Sequence, residues 1–139
     1  MKRELLIIED NDGDILLLEE AFETTGCNWK HTILKDGEKA IRYLADLCSE
    51  EHQHRPDLIL LDLNLPRKNG FEVLEFIKEN PLLREIPTVV FSTSSSKKDI
   101  TACYQRYANC YITKPVDIES YQKTIHSICS FWTETVQLP

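Results

Sequence analysis

The stretch Arg55-Pro56-Asp57-Leu58-Ile59-Leu60-Leu61-Asp62-Leu63-Asn64-Leu65-Pro66-Arg67-Lys68-Asn69-Gly70 decides the fold. Its unbroken apolar run, Leu58 to Leu61, predicts a strand covered on both faces, as in a parallel sheet. Asp62 follows at once, where such a strand emerges. Open parallel sheets place their chemistry at the carboxyl ends of strands. Asn64 and Pro66 stop further pairing, and Asn69-Gly70 opens a helix. Within that helix Glu72 can reach back to an Asn69 cap, and Phe71, Leu74 and Ile77 form the buried stripe until Asn80-Pro81 ends it.

Similar apolar runs recur on either side. Leu5 to Ile8 predicts a first strand ending on Glu9-Asp10. Asp12 or Asp14 can cap the helix that carries Ile15, Leu18 and Phe22, and Gly26 stops it. Trp29 to Leu34 alternates weakly, as a more exposed second strand does, and Ala40, Ile41, Leu44, Leu47 and Cys48 mark a second helix. Thr88 to Phe91 is a fourth strand ending on Ser92-Thr93. The helix after it, about residues 98–107, has only a weak stripe of Ile100, Cys103 and Tyr107. Cys110 to Thr113 is a fifth strand ending on Lys114-Pro115, and Ile118, Tyr121, Ile125, Ile128 and Trp132 share one face of the last helix. Strands alternating with helices over short connections define an α/β sandwich around a parallel sheet. The 139 residues suffice for one domain, with a core over about residues 4–132 and a short tail at 133–139.

Composition narrows the function. A net charge of -7 disfavours nonspecific binding to nucleic acid. No apolar run approaches the ~20 residues of a membrane span, and the start does not resemble a signal peptide. The odd number of cysteines (Cys27, Cys48, Cys103, Cys110, Cys129), without C-x-x-C spacing, points to reduced packing thiols in a cytoplasm. His52 and His54 could pair on a metal, but no third ligand is near, which favours a solvated polar extension before Arg55.

Parallel strands in register bring their carboxyl ends to one edge. Four strands then deliver Glu9-Asp10, Asp62, Ser92-Thr93 and Lys114 to that edge. Crowded carboxylates resist joint ionisation, and a hard divalent cation relieves them. Mg²⁺ keeps several waters and adds a phosphate oxygen readily. Lys114 offers a compact charge for a phosphoryl oxygen, Ser92 a hydroxyl, and Asp62 a nucleophilic carboxylate. Glu9, Asp10 and the Asn64 carbonyl complete a metal set with Asp62. Each residue alone has an ordinary structural explanation: a cap, a turn former, a surface charge. Their succession, each after its own apolar run, favours phosphoryl transfer. An aspartate-nucleophile phosphatase needs a second titratable carboxyl two positions after the nucleophile, where Asn64 stands. A nucleotide or flavin carrier needs a Gly-rich loop after the first strand, where Asn11-Asp12-Gly13-Asp14 is acidic.

Ile8-Glu9-Asp10-Asn11, Leu60-Leu61-Asp62-Leu63-Asn64-Leu65-Pro66 with Gly70, Phe91-Ser92-Thr93 and Tyr111-Ile112-Thr113-Lys114-Pro115 together resemble the receiver domain of bacterial two-component response regulators. The resemblance covers about residues 4–132 and is closest in kind to single-domain regulators paired with bacterial phytochromes. It implies a (βα)5 flavodoxin-like fold with strand order 2-1-3-4-5 and helices on both faces. It implies a stand-alone cytoplasmic receiver with no output domain, no direct DNA binding and no membrane contact. Asp62 would accept a phosphoryl group from a sensor histidine kinase in a Mg²⁺-dependent reaction, with Mn²⁺ as a substitute. Such a protein promotes its own phosphorylation and dephosphorylation but is no turnover enzyme. Lys114 would contact the phosphoryl group, Ser92 would swing toward it, and Tyr111 would rotate inward. The surface of the fourth helix, fifth strand and fifth helix would then switch toward a downstream protein, a histidine phosphotransfer protein or a second copy of the chain. The Lys114-Pro115 bond is often cis in this family.

Overall fold

A computed structural model of the chain describes residues 3–49 and 54–139. His52 and most of the polar extension before Arg55 lie outside the described residues. The chain runs β1 (Glu4–Ile8), α1 (Asp12–Thr25), β2 (Lys30–Leu34), α2 (Gly37–Ser49), β3 (Leu58–Leu61), α3 (Gly70–Glu79), β4 (Thr88–Ser92), α4 (Lys97–Gln105), β5 (Cys110–Thr113) and α5 (Ile118–Ser130). A wider π turn, Phe131–Thr135, continues α5. All pairings in the sheet are parallel, in the order β2-β1-β3-β4-β5. This is the expected topology.

Two-residue periodicity splits the strands between two cores. Leu6, Ile8, Ile59, Leu61 and Val90 face Ala40, Leu44, Val73, Leu74 and Ile77 of α2 and α3. Leu5, Ile7, Leu58, Leu60, Val89 and Phe91 face Leu18, Ala21 and Phe22 of α1 and Tyr121, Ile125 and Ile128 of α5. Because both faces are covered, β1 and β3 carry no polar alternation. On α4 only Cys103 is buried, so little apolar area fixes that helix.

Local chemistry sets the helix ends. Asn69 accepts from the Glu72 N–H and Glu72 returns a bond to the Asn69 N–H, the capping box expected there. Gly26 closes α1 at φ 69°. The α1 cap, however, is Asn11, whose side chain accepts from the Asp14 N–H. Asp12 and Asp14 instead supply negative charge in the first turn. Ile118, expected in the α5 stripe, is 61% exposed at the first position of its helix. Tyr107 lies past the end of α4 at φ 67°, exposed rather than in a stripe.

The expectation of five reduced thiols is corrected at two positions. Cys27, after α1, and Cys129, near the end of α5, form a disulfide with Cα atoms 6.1 Å apart. The bond of Trp29 Nε1 to Thr133 Oγ1, 2.7 Å, ties the same two segments. Cys48, Cys103 and Cys110 are free. Because the bridge joins positions separated by 102 residues, it restricts the unfolded chain strongly. Reduction should lower the unfolding free energy in urea by about 2–4 kcal/mol. Cys27→Ser should start at the lower value and show no further response to reductant.

Candidate functional site

Glu9 leaves β1 with its N–H on the Leu34 carbonyl, 3.0 Å. Asp62 leaves β3 with its N–H on the Ile8 carbonyl, also 3.0 Å. Lys114 leaves β5 with its N–H on the Ser92 carbonyl, 2.7 Å. Sheet register thus fixes the roots of all three side chains. Gly70 lets α3 begin against the same loop: a Cβ there would lie 2.3 Å from the Asp62 carbonyl oxygen and 2.5 Å from Leu63 Cα. Only glycine fits that approach without moving Asp62.

Of the groups expected at this edge, Glu9, Asp10, Asp62 and Lys114 come together. One carboxylate oxygen each from Glu9, Asp10 and Asp62 lie within 4.8 Å of one another. Asp10 is exposed, whereas Glu9 and Asp62 are buried. Lys114, 6% exposed, turns into the cluster. Its Nζ donates to Glu9 Oε1, to Asp14 Oδ2 at 2.9 Å and to Asp62 Oδ2 at 3.5 Å. The other Asp62 oxygen accepts from the Leu63 N–H at 2.8 Å, and the other Glu9 oxygen from the Asn11 N–H at 3.2 Å. Lys114-Pro115, a bond often cis in the family, is trans, and the lysine reaches the carboxylates from there.

Ser92 is fully buried and its Oγ accepts from the Ser94 N–H at 3.2 Å. The Tyr111 hydroxyl donates to the Ser94 carbonyl at 2.7 Å, so it already bonds the β4–α4 loop. Ser94 Oγ in turn donates to Asp99 in the first turn of α4, 2.6 Å away. Burial pushes the Tyr111 hydroxyl pKa up. Asn64 is exposed in the loop after β3. Tyr104 and Tyr107 are exposed near β5, but Tyr121 is buried and packs on Phe91 with ring centroids 5.4 Å apart. Asp14 is the residue whose role the sequence did not disclose. Its place in the first turn of the helix that follows Glu9-Asp10 was the available signal, obscured because it also reads as a cap.

Electrostatics agree with a cation site. Burial pushes the Glu9 carboxyl up to about 7; the Lys114 bond opposes this and the nearby Asp62 charge adds to it. Burial alone would depress Lys114, but the bond to Glu9 and the charges of Asp62 and Glu9 raise it instead. A Glu with a raised folded pKa binds more protons folded than unfolded, so stability falls as pH rises. Without divalent metal, Glu9 should cost on the order of 3 kcal/mol as pH climbs from about 4.5 to 7. Urea titrations in EDTA should show this slope in the natural protein and a flatter one in Glu9→Gln.

The family profile of the response regulator receiver domain matches residues 5–126. The chain belongs to that family: it is a signalling protein phosphorylated on aspartate rather than a turnover enzyme. It is 44% identical over 135 residues to Response regulator Rcp1 of Synechocystis sp., covering 97% of this chain and 92% of that protein. The Mn²⁺-bound crystal structure of Rcp1 superposes with a TM-score of 0.89 at 43% identity, over 99% of each chain. The phosphorylated cyanobacterial phytochrome response regulator RcpA superposes at 0.92 with 40% identity, over 100% of this chain and 99% of that one.

Hard carboxylate oxygens at this spacing fit Mg²⁺ or Mn²⁺, which is the cofactor of such a site. No helix among the described residues is long and apolar enough to cross a membrane.

Proposed function

We propose that Asp62 accepts a phosphoryl group from a phosphohistidine of a sensor kinase. The carrying observation is the buried Lys114 ammonium shared by Glu9 and Asp62, beside an acidic trio able to hold a cation. Glu9, Asp10, Asp62 and the Asn64 carbonyl are the ligands we assign. Bound there, Mg²⁺ supplies positive charge against the carboxylates and the incoming phosphoryl oxygens.

Asp62 keeps Oδ1 on the Leu63 N–H, which fixes the carboxylate plane. Its free lone pair forms the P–O bond while the P–N bond to the donor imidazole breaks, and the imidazole leaves with its bonding pair. Lys114 stands 3.5 Å from Asp62, close enough to meet a phosphoryl oxygen after a small shift. The Ser92 hydroxyl turns to the same group. Ser94 and Tyr111, and with them the β4–α4 loop, follow, because the Ser94 N–H donates to Ser92 Oγ and the Tyr111 hydroxyl donates to the Ser94 carbonyl. Since α4 buries only Cys103, the loop can draw it to a second packing. The α4-β5-α5 surface, with exposed Tyr104 and Tyr107, then meets a downstream protein, a phosphotransfer protein or a second copy of the chain.

The likeness to RcpA supports a phytochrome-type histidine kinase as the donor. Residues 4–132 are the unit we assign to this function.

Incubation with Mg²⁺ and acetyl phosphate tests the reading. Intact mass should rise by one phosphoryl group, about 80 Da, and EDTA should suppress the gain. An unchanged mass under conditions that phosphorylate a control receiver would refute it.

A further inference from the structure

We infer that Asp14 is the positioning residue for Lys114 during phosphoryl transfer, an inference that rests on the proposed reaction at Asp62. Lys114 is a flexible four-carbon arm ending in three N–H donors. Glu9, Asp14 and Asp62 share those donors. Glu9 and Asp62 also belong to the oxygen cluster that fits a cation, and Asp14 does not. When a cation draws on Glu9 and Asp62, Asp14 is the carboxylate left to the ammonium. Its 2.9 Å bond is therefore the tether that persists in the reactive state.

Asp14 is itself held. Its N–H donates to the Asn11 cap at 2.9 Å, within the first turn of α1. The hydroxyl of buried Tyr121, on α5, approaches its carbonyl oxygen at 3.4 Å. The side chain is 23% exposed, so its charge is only partly screened, and the Lys114 side chain at the other end is buried. Asp14 thus reaches the lysine from a rigid helix start, opposite in the chain from the strand that carries Lys114. It touches no reacting atom and acts through the ammonium alone.

The test is a double-mutant cycle on the rate of phosphoryl uptake from acetyl phosphate at saturating Mg²⁺. Asp14→Ala should slow uptake about tenfold, the scale of a mispositioned catalytic group. Asp14→Glu should recover part of that loss and Asp14→Asn little, because charge as well as an oxygen is needed. In a Lys114→Ala background, Asp14→Ala should change the rate less than about twofold, since nothing remains to position. Independent, multiplying effects of the two substitutions would overturn the inference. So would a large fall in Mg²⁺ affinity in Asp14→Ala, which would make Asp14 a metal ligand. A natural protein that takes up no phosphoryl group defeats the underlying reaction. Normal uptake in a folded Asp14→Ala defeats only the role of Asp14.

Discussion

Asp62→Asn is expected to fold normally and to gain no phosphoryl group at any donor concentration. Asn retains an oxygen to accept the Leu63 N–H, so the 2.8 Å bond that orients the side chain survives. What disappears is the ionised oxygen able to form an acyl phosphate. The folded protein should be as stable as the natural one in EDTA, or more stable by about 1 kcal/mol, because Glu9 loses a like-charged neighbour. Intact mass spectrometry and urea unfolding on one preparation separate the two effects. Loss of uptake with collapse of the fold would say nothing for a chemical role. Continued uptake would place the acceptor elsewhere.

Lys114→Met should have the second largest effect, and on two quantities at once. Methionine fills much of the same volume but leaves buried Glu9 and Asp62 without their cation. Removing one partner of a buried pair should lower stability by about 3 kcal/mol at pH 8 in EDTA. Loss of the lysine removes the bond that opposes the rise of the folded Glu9 carboxyl, which is then raised further. The deficit should therefore shrink as pH falls toward 5, where the folded Glu9 protonates. Adding Mg²⁺ should return part of the stability, since it supplies charge to the same oxygens. Uptake of phosphoryl group should nonetheless remain about a hundredfold slower, because no ammonium meets the phosphoryl oxygens. Recovery of both stability and rate with metal would reduce Lys114 to a structural counter-charge.

Much of this was legible in order along the chain. Leu58 to Leu61 and Thr88 to Phe91 read as strands because burial on both faces removes polar residues from them. The acidic pair, Asp62, Ser92 and Lys114 were legible because each follows its own strand, and parallel register brings strand ends together. The sorting of Leu5 and Ile7 to one core and Leu6 and Ile8 to the other was not, since both sets are equally apolar. The cap of α1 falls on Asn11 and not on the expected Asp12 or Asp14, because all three carry an acceptor oxygen and spacing alone does not rank them. The Cys27–Cys129 bridge joins positions 102 residues apart, a separation over which spacing says nothing about pairing. Ile118 fits the α5 period, but at the first position of the helix it meets solvent. The tie between Asp14 and Lys114 joins positions 100 residues apart, a separation that no local pattern encodes.

The most direct test is to locate the acceptor. Phosphorylated protein reduced with borohydride converts an aspartyl phosphate to homoserine, which peptide mapping by tandem mass spectrometry can assign. The account predicts homoserine at position 62 alone, with Asp10 and Asp14 unaltered. Homoserine at either of those positions, or a stable phosphoryl group on Ser92, would contradict it.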